Sequence, residues 1–321
     1  MGLMTGLDGT PEAASVMALH CSLGSGRQWT QLRAELGGIR FLAPDISGYG
    51  LCAVGRDWPR TLDGEIARLA SDLGAAEGPL HVIGHSYGGA IAFRLATLSP
   101  YAHRVRSLTL IEPVLPTLLR DSAFFEHDPA GKPLHTFPDH AADARLYQRF
   151  VRIAQNVSHA IFDGAVMEAV EDFTAFWAGS GPREPLPLGG RLRMIEQADK
   201  LAYDFAAVLA EGGVAEAAAA LRVPTLLMSG GLSPYVTQRI VAKLAALIDG
   251  AELRHLPAAA HMLPVTHAAQ ANPEIVRHIW RAEELAKLPL ATGDAGTTCQ
   301  PAQPAGSPRP HLVFRRPSFW E

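Results

Sequence analysis

Short apolar segments bounded by turn residues recur along this chain, and helix-period segments separate most of them. The segments with a β-strand pattern are residues 15–21, 39–45, 80–86, 107–113, 225–230 and 252–257. Strands that alternate with helices form parallel sheets covered on both faces, with right-handed crossovers. Strands as apolar as Thr225-Leu226-Leu227-Met228 suit burial on both sides. The pattern therefore predicts an α/β fold with a mostly parallel, doubly wound sheet.

The third of these strands runs into a motif that indicates chemistry. The motif reads Gly84-His85-Ser86-Tyr87-Gly88-Gly89, and a helix pattern follows it. A strand, then G-x-S-x-G, then a helix is the setting of a nucleophile elbow, which exposes the serine hydroxyl on a strained turn. Glycines on either side let strand and helix approach closely. The alternative is an ordinary strand-to-helix turn.

Three other segments carry a family resemblance. His20-Cys21-Ser22, after the first strand, is similar to the oxyanion loop of the α/β-hydrolase superfamily, with Cys21 where glycine is usual. Asp45-Ile46-Ser47-Gly48-Tyr49-Gly50 looks like the family's Asp-x-x-Gly-x-Gly loop, and Ala260-His261 like its corner with the catalytic histidine. The chain thus resembles serine-type α/β-hydrolases with an inserted cap, over roughly residues 15 to 285.

The resemblance implies a role for each of four residues. Ser86 would be the nucleophile, and His261 would take its proton and return it to the leaving group. The backbone N–H groups of Ser22 and Tyr87 would stabilise the oxyanion. A serine forms an acyl-enzyme, so the substrate should carry an electrophilic carbonyl. Dehalogenases and epoxide hydrolases of this fold use a carboxylate instead.

The acid of the triad departs from the usual family pattern. The loop after residues 225–230 reads Gly230-Gly231-Leu232-Ser233, with serine where the family commonly has aspartate. Glu112 ends the strand next to the one that carries Ser86, and some family members draw their acid from that strand end. Asp249 precedes a strand and so belongs to the opposite edge of the sheet. We therefore predict that Glu112 orients His261; the alternative is that Glu112 only anchors the first turn of the cap.

The strand–helix rhythm stops between Pro113 and Pro224, where helical patterns cover Ala142–Phe162, Val166–Trp177 and Leu192–Ala219. Eight of the twelve phenylalanines fall in this stretch, which favours an apolar lid over a substrate pocket, although some of the rings must form the lid's own core. The predicted organisation is an α/β-hydrolase core at 1–113 and 224–287, a helical cap at 114–223 and a Pro-rich, disordered tail at 288–321.

Composition limits the partners of this chain. The net charge is −4, so the chain has no excess of positive charge to attract nucleic acid. No apolar run reaches the length of a membrane span. Residues 1–9 lack the features of a signal peptide, and three cysteines indicate reduced thiols, so we expect a cytoplasmic protein. No phosphate loop or dinucleotide motif occurs, and the His261 and His267 pair lacks the spacing and further ligands for a metal. We expect a small-molecule substrate, no cofactor and no metal; oligomeric state stays open.

The function predicted from these residues is a serine hydrolase that cleaves a small, fairly apolar carboxylic ester or related acyl compound through an acyl-enzyme. Carbon–carbon, amide or lactone hydrolysis on the same triad remains an alternative. A non-catalytic ligand receptor on this fold is another, because Cys21 and the missing Gly-x-x-Asp acid depart from the family pattern.

Overall fold

The computed structural model describes residues 13–52, 57–76, 78–121, 140–181 and 187–288. The expectations for the first residues, for the tail and for part of the linker after Gly179 lie outside this range. Six strands form one sheet: β1 Ser15–Leu19, β2 Arg40–Leu42, β3 Leu80–His85, β4 Val105–Ile111, β5 Thr225–Gly230 and β6 Glu252–Leu256. Their order is β2-β1-β3-β4-β5-β6, and every neighbouring pair is parallel. The predicted parallel sheet is confirmed.

The sheet is apolar on both faces because helices cover both. All five residues of β1 are buried, and their side chains alternate between two separate cores. Met17 and Leu19 pack into the larger core, while Val16 and Ala18 pack into the smaller one on the other face. Alternation of side chains along a strand makes this division inevitable once both faces are covered.

Thirteen α-helices lie in the described part of the chain. Those outside the long segment between β4 and β5 are α1 Thr30–Glu35, α2 Leu62–Arg68, α3 Ala70–Ala75, α4 Tyr87–Leu98, α11 Tyr235–Leu247, α12 Leu263–Thr266 and α13 Ala268–Lys287. Helix α4 directly follows β3 and is apolar on nearly all sides, with nine of its twelve residues buried. It therefore lies inside the molecule, and its N-terminus faces the carboxyl edge of the sheet.

The segment between β4 and β5, called the insertion below (residues 114–223), contains helices joined by short turns and has no strand among its described residues. Its helices are α5 Thr117–Asp121, α6 His140–Phe162, α7 Val166–Ala178, α8 Leu188–Glu196, α9 Asp199–Ala210 and α10 Val214–Ala220. The pattern over Leu192–Ala219 predicted continuous helix, but three helices share it. One break falls at Gly213, whose φ of +67° is left-handed and ends a regular helix turn.

An ion cluster that does not include Ser86 fixes the insertion to the core. Asp143 of α6 is fully buried, and its carboxylate accepts from Arg239 Nε at 2.6 Å and from Lys243 Nζ at 2.8 Å. Both cations lie on α11, which belongs to the core. Removing one partner of such a cluster leaves uncompensated charge, so each member matters for stability.

No helix in the described ranges combines the length and the hydropathy that crossing a membrane requires.

Candidate active site

Ser86 lies at the sharp turn between β3 and α4 in a strained backbone conformation. Its φ is +57° and its ψ is −119°, a region that non-glycine residues rarely adopt. A Cβ at Gly84 would overlap the carbonyl oxygen of Gly88, and a Cβ at Gly88 would overlap that of His20. Both positions therefore require glycine, and the strain at Ser86 persists because the packing around the turn imposes it.

Three predicted residues come together at the carboxyl edge of the sheet. His261 lies in the loop after β6, and its Nε2 is 2.9 Å from Ser86 Oγ. Its Nδ1 is 2.6 Å from Glu112 Oε2. All three side chains are almost completely buried. The line of hydrogen bonds has the geometry in which a histidine can take a serine proton while a carboxylate holds its other nitrogen.

Glu112 is held in place by the backbone as well as by His261. It directly follows β4 with a φ of +44°, and its Oε1 accepts from the backbone N–H of Gly230 at 2.6 Å. Both carboxylate oxygens are therefore engaged at the sheet edge rather than with the first turn of the insertion. Ser233 is buried, and its Oγ has no hydrogen-bond partner among the described residues. Asp249 is exposed in the turn before β6.

The two predicted oxyanion residues face the same site. Ser22 lies in a turn closed by the hydrogen bond from Gly24 N–H to the Cys21 carbonyl, with Leu23 at a φ of +57°. The N–H of Ser22 takes no part in the hydrogen bond that closes this turn. Tyr87 is the first residue of α4, so its N–H has no acceptor within that helix. Ser22, Ser86 and Tyr87 line one cavity.

Two buried histidines fix the loops around the site. His85 Nε2 donates to the carbonyl oxygen of His261 at 2.9 Å, and the amide of Gln28 lies 3.1 Å from His85 Nδ1. His20 accepts from Ile46 N–H at 2.8 Å and donates to the Cys21 carbonyl. Burial lowers the pKa of both imidazoles, so each stays neutral with one donor and one acceptor nitrogen.

Cys21 is buried, and desolvation raises its thiol pKa to about 12. The thiol therefore stays protonated and unreactive near neutral pH. Asp45 binds its own loop, accepting from Gly26 N–H and from Leu51 N–H at 2.7 Å each. Both residues are structural.

The insertion supplies the roof of the site. Trp177 of α7 stacks on His261, with ring centroids 4.3 Å apart and planes inclined by 21°. The cavity beside Ser86 is otherwise walled by apolar side chains of the insertion, namely Val114, Phe173, Leu201, Phe205 and Val208. The cavity is small: the volume within it that the centre of a water molecule can reach is about 10 Å³, which is enough for about one water. The sequence pointed to this apolar segment but not to Trp177.

A buried charged cluster lies at the polar end of this cavity. Lys200 of α9 is fully buried, and its Nζ donates to Glu65 Oε1 at 2.7 Å and to Asp204 Oδ1. Asp204 Oδ2 also accepts from Ser22 Oγ and from Tyr49 Oη, at 2.6 Å each. Burial opposes the charge of Lys200, but the two carboxylates outweigh it and raise the ammonium pKa. Burial raises the pKa of Glu65 despite Lys200.

Sequence reasoning missed this cluster because Lys200 and Asp204, four residues apart on a helix, look like an ordinary exposed ion pair. The space for the buried lysine is visible only in the structure. Gly48 has a φ of +86°, and a Cβ there would lie 2.9 Å from Lys200 Cγ, so the glycine leaves room for the lysine stem. Within the described residues, no group of three His, Cys, Asp or Glu side chains is placed to hold a metal ion.

Comparison with known proteins gives the family. Residues 16–274 match the model of the Alpha/beta hydrolase family, a range that contains Ser86, Glu112 and His261. This chain belongs to the alpha/beta hydrolase family. The parallel sheet and the strand–serine–helix turn described above are the fold expected of its members.

Individual relatives are more distant. Over 103 residues the chain is 36% identical to Lipase LipV of Mycobacterium tuberculosis, a segment that covers 32% of this chain and 38% of the lipase. The chain therefore matches well under half of that relative's length. It also resembles the structure of MenH from S. aureus, with a TM-score of 0.62 and 16% identity over 85% of this chain and 96% of that one.

A third similar structure is an esterase from Exiguobacterium antarcticum, with a TM-score of 0.59 and 16% identity, covering 84% of this chain and 92% of that one. Likeness at these identities shows the fold alone. The family match supports a hydrolase.

Proposed function

We propose that this protein is a serine hydrolase that cleaves a small, fairly apolar carboxylic ester through an acyl-enzyme. The observation that carries the proposal is the line of hydrogen bonds from Ser86 Oγ through His261 to Glu112. A receptor that had lost catalysis would have no physical need for this line, nor for the strained turn that presents Ser86.

In the proposed acylation step, Ser86 Oγ attacks the ester carbonyl while His261 Nε2 takes its proton. Glu112 Oε2 accepts from His261 Nδ1–H, which fixes the tautomer and stabilises the imidazolium that forms. The backbone N–H groups of Ser22 and Tyr87 stabilise the oxyanion of the tetrahedral intermediate. When the intermediate collapses, His261 returns the proton to the departing alcohol, and the acyl group stays on Ser86.

Deacylation repeats these steps with water as the nucleophile. His261 takes a proton from the water as it attacks the acyl carbonyl, and the same two N–H groups stabilise the second oxyanion. Collapse releases the carboxylic acid, and the proton on His261 returns to Ser86 Oγ. These five residues, Ser86, His261, Glu112, Ser22 and Tyr87, suffice for the whole cycle.

The cavity supports a small and apolar substrate. Its walls are mostly aliphatic and aromatic side chains, and its free space admits about one water. Every acyl group is larger than one water, so binding requires α7 and α9 to move apart, and a longer chain requires a larger movement. Amides, lactones and carbon–carbon bonds next to a carbonyl pass through the same kind of acyl or oxyanion intermediate and are tested alongside esters.

A fluorophosphonate probe and p-nitrophenyl esters of increasing acyl length test the proposal. The parent protein should label and turn over the short esters. Ser86→Ala should fold normally, fail to label and lose turnover. Its residual rate should exceed that of the uncatalysed reaction in water by about three to four orders of magnitude, because positioning and the oxyanion site remain.

Ser233→Ala is the matched control, because Ser233 is buried near the site and its hydroxyl makes no hydrogen bond among the described residues. It should label and react like the parent. A parent protein that binds an ester analogue but neither labels nor turns over any ester, amide, lactone or diketone would be a receptor.

A further inference from the structure

The buried cluster around Lys200 contacts the side chains of both residues assigned to the oxyanion site. Ser22 Oγ donates to Asp204 Oδ2 at 2.6 Å, and Tyr87 Oη donates to Glu65 Oε1 at 3.0 Å. Lys200 Nζ donates to both of these carboxylates, so a single ammonium joins the two branches. The Tyr87 ring also lies over the ammonium, with its centroid 4.9 Å from Nζ.

The two branches begin on separate parts of the fold. Ser22 lies three residues beyond the end of β1, and Tyr87 lies two residues beyond the end of β3. These two strands are paired only as far as Leu19 and Gly84, so the sheet itself stops short of the two backbone N–H groups. Glu65 comes from α2, while Lys200 and Asp204 come from α9 in the insertion. The cluster is thus the side-chain bridge that connects the two halves of the oxyanion site.

We propose that Lys200 is a positioning residue that holds the Ser22 and Tyr87 loops at the spacing needed to bind the oxyanion. This inference rests on the proposed function, because it gives a role only to a site that forms an oxyanion. Lys200 touches no reacting atom; it acts through Asp204 and Glu65 on the two loops.

Charge and burial explain why the bridge is stiff. The cluster has two carboxylates and one ammonium, all at most a few per cent exposed. Without the ammonium, the carboxylates would repel each other in a region of low dielectric, and each loop would follow its own carboxylate. A displacement of about 1 Å at a catalytic group can lower a rate about a hundredfold, so a small separation of the loops is sufficient.

The position of α9 links this bridge to the substrate. The same helix presents Leu201, Phe205 and Val208 to the cavity and Lys200 and Asp204 to the bridge. A substrate that packs against α9 therefore packs against the element that positions the oxyanion donors. Binding energy from the acyl chain can in this way be used at the reacting carbonyl.

Lys200→Met in the full-length protein tests the proposal, with Lys243→Met as the matched control. Each replaces a buried ammonium bonded to a buried carboxylate, but Lys243 belongs to the Asp143 cluster away from the cavity. Active sites are counted by fluorophosphonate labelling, and kcat and KM for a short p-nitrophenyl ester are measured well below the unfolding temperature.

We expect Lys200→Met to lower kcat about 10- to 100-fold with KM changed less than about threefold, since ground-state packing is retained. Inhibition by a trifluoromethyl ketone, whose serine adduct carries an oxyanion, should weaken by a similar factor. Lys243→Met should lose stability yet keep the parent kcat and the parent inhibition constant. A Lys200→Met enzyme with the parent kcat and inhibition constant would overturn the proposal.

Ser22→Ala and Tyr87→Phe keep the proposal testable if Lys200→Met fails to fold. Each removes one hydroxyl of the bridge but leaves the backbone N–H in place. Each should lower kcat severalfold at unchanged KM. If both single variants match the parent, the bridge does not position the site. If the parent neither labels nor turns over esters, the proposed function itself has failed.

Discussion

At the scale of single residues, the candidate site depends on unusual backbone conformations. Ser86 and Glu112 both have positive φ, at +57° and +44°, and each directly follows the last residue of a neighbouring strand. Such conformations cost of order 1–3 kcal/mol each and persist only where the surroundings impose them. Their location at the two ends of the hydrogen-bond line to His261 indicates that the strain serves the arrangement of these side chains.

The role of Glu112 is tested by Glu112→Gln. The amide has the same shape but no charge, so it can neither stabilise an imidazolium nor hold the required tautomer of His261. We expect kcat to fall by about 10⁴, the loss that follows the equivalent change in a serine protease triad. The measurement is steady-state ester hydrolysis by enzyme of matched thermal stability.

Asp249→Asn provides the comparison, because Asp249 is exposed in a turn and makes no contact with the site. Its kcat should equal that of the parent. A Glu112→Gln enzyme within about threefold of the parent would mean that Ser86 and His261 work without this acid.

At the scale of elements, the insertion determines the shape of the cavity. Helices α7 and α9 cross the carboxyl edge of the sheet and place aromatic and aliphatic side chains over Ser86. Of the aromatic residues that the sequence marked as lid candidates, Phe173 and Phe205 line the cavity, whereas Phe176 packs beside Phe150 and Trp177. Phe162 is 72% exposed and serves neither purpose.

Phe173→Ala should shift the preferred acyl chain to a longer one. The truncation opens space next to Ser86, and each methylene that fills it is worth about 1 kcal/mol, or about fivefold in kcat/KM. The ratio of kcat/KM for p-nitrophenyl hexanoate to that for the acetate should therefore rise by an order of magnitude or more.

Phe176→Ala is the control, because it truncates a ring of the same helix that does not line the cavity. It should lower stability without changing the ratio. Equal losses on every ester in both variants would instead indicate that the helices of the insertion had collapsed.

At the scale of the whole molecule, burial of histidine makes stability depend on pH. Burial lowers the pKa of four histidines, His20, His81, His85 and His278. Below about pH 6.5 the unfolded chain protonates these groups while the native protein does not, so the unfolded state binds more protons. The free energy of unfolding must then fall as the pH drops below about 6.5. Burial raises the pKa of Glu65 and Glu211, which opposes this trend but affects only two groups.

Urea unfolding between pH 8 and pH 5 measures this effect. The parent should lose stability steadily below about pH 6.5. His278→Gln should show a shallower slope, smaller by up to about 1.4 kcal/mol per pH unit, because one proton fewer is taken up on unfolding. His278 lies on α13, away from Ser86, so the His278→Gln variant should hydrolyse esters at the parent rate. Constant or rising stability between pH 6.5 and pH 5 would contradict the prediction.

The sequence alone determined the fold and the positions of the candidate nucleophile and base. The fold and the candidate nucleophile follow from local patterns, which are apolar runs of strand length and glycines on either side of Ser86 between a strand and a helix. The candidate base, His261, follows from the family resemblance. The choice of Glu112 followed from the family resemblance and from elimination among acids at strand ends. Its catalytic role stays a prediction, although the structure places its carboxylate against His261.

Only the tertiary structure could show which side chains surround these residues. Trp177 and Lys200 reach the site from helices that are far from Ser86 in sequence, and nothing in their local patterns indicates the direction in which those helices pack. A lysine four residues from an aspartate is normally solvated, and here it is buried because Glu65, Asp204 and the space at Gly48 meet at one point. Local sequence sets the elements and their turns, but the environment of a charge depends on contacts between distant segments, which exist only once the chain has folded.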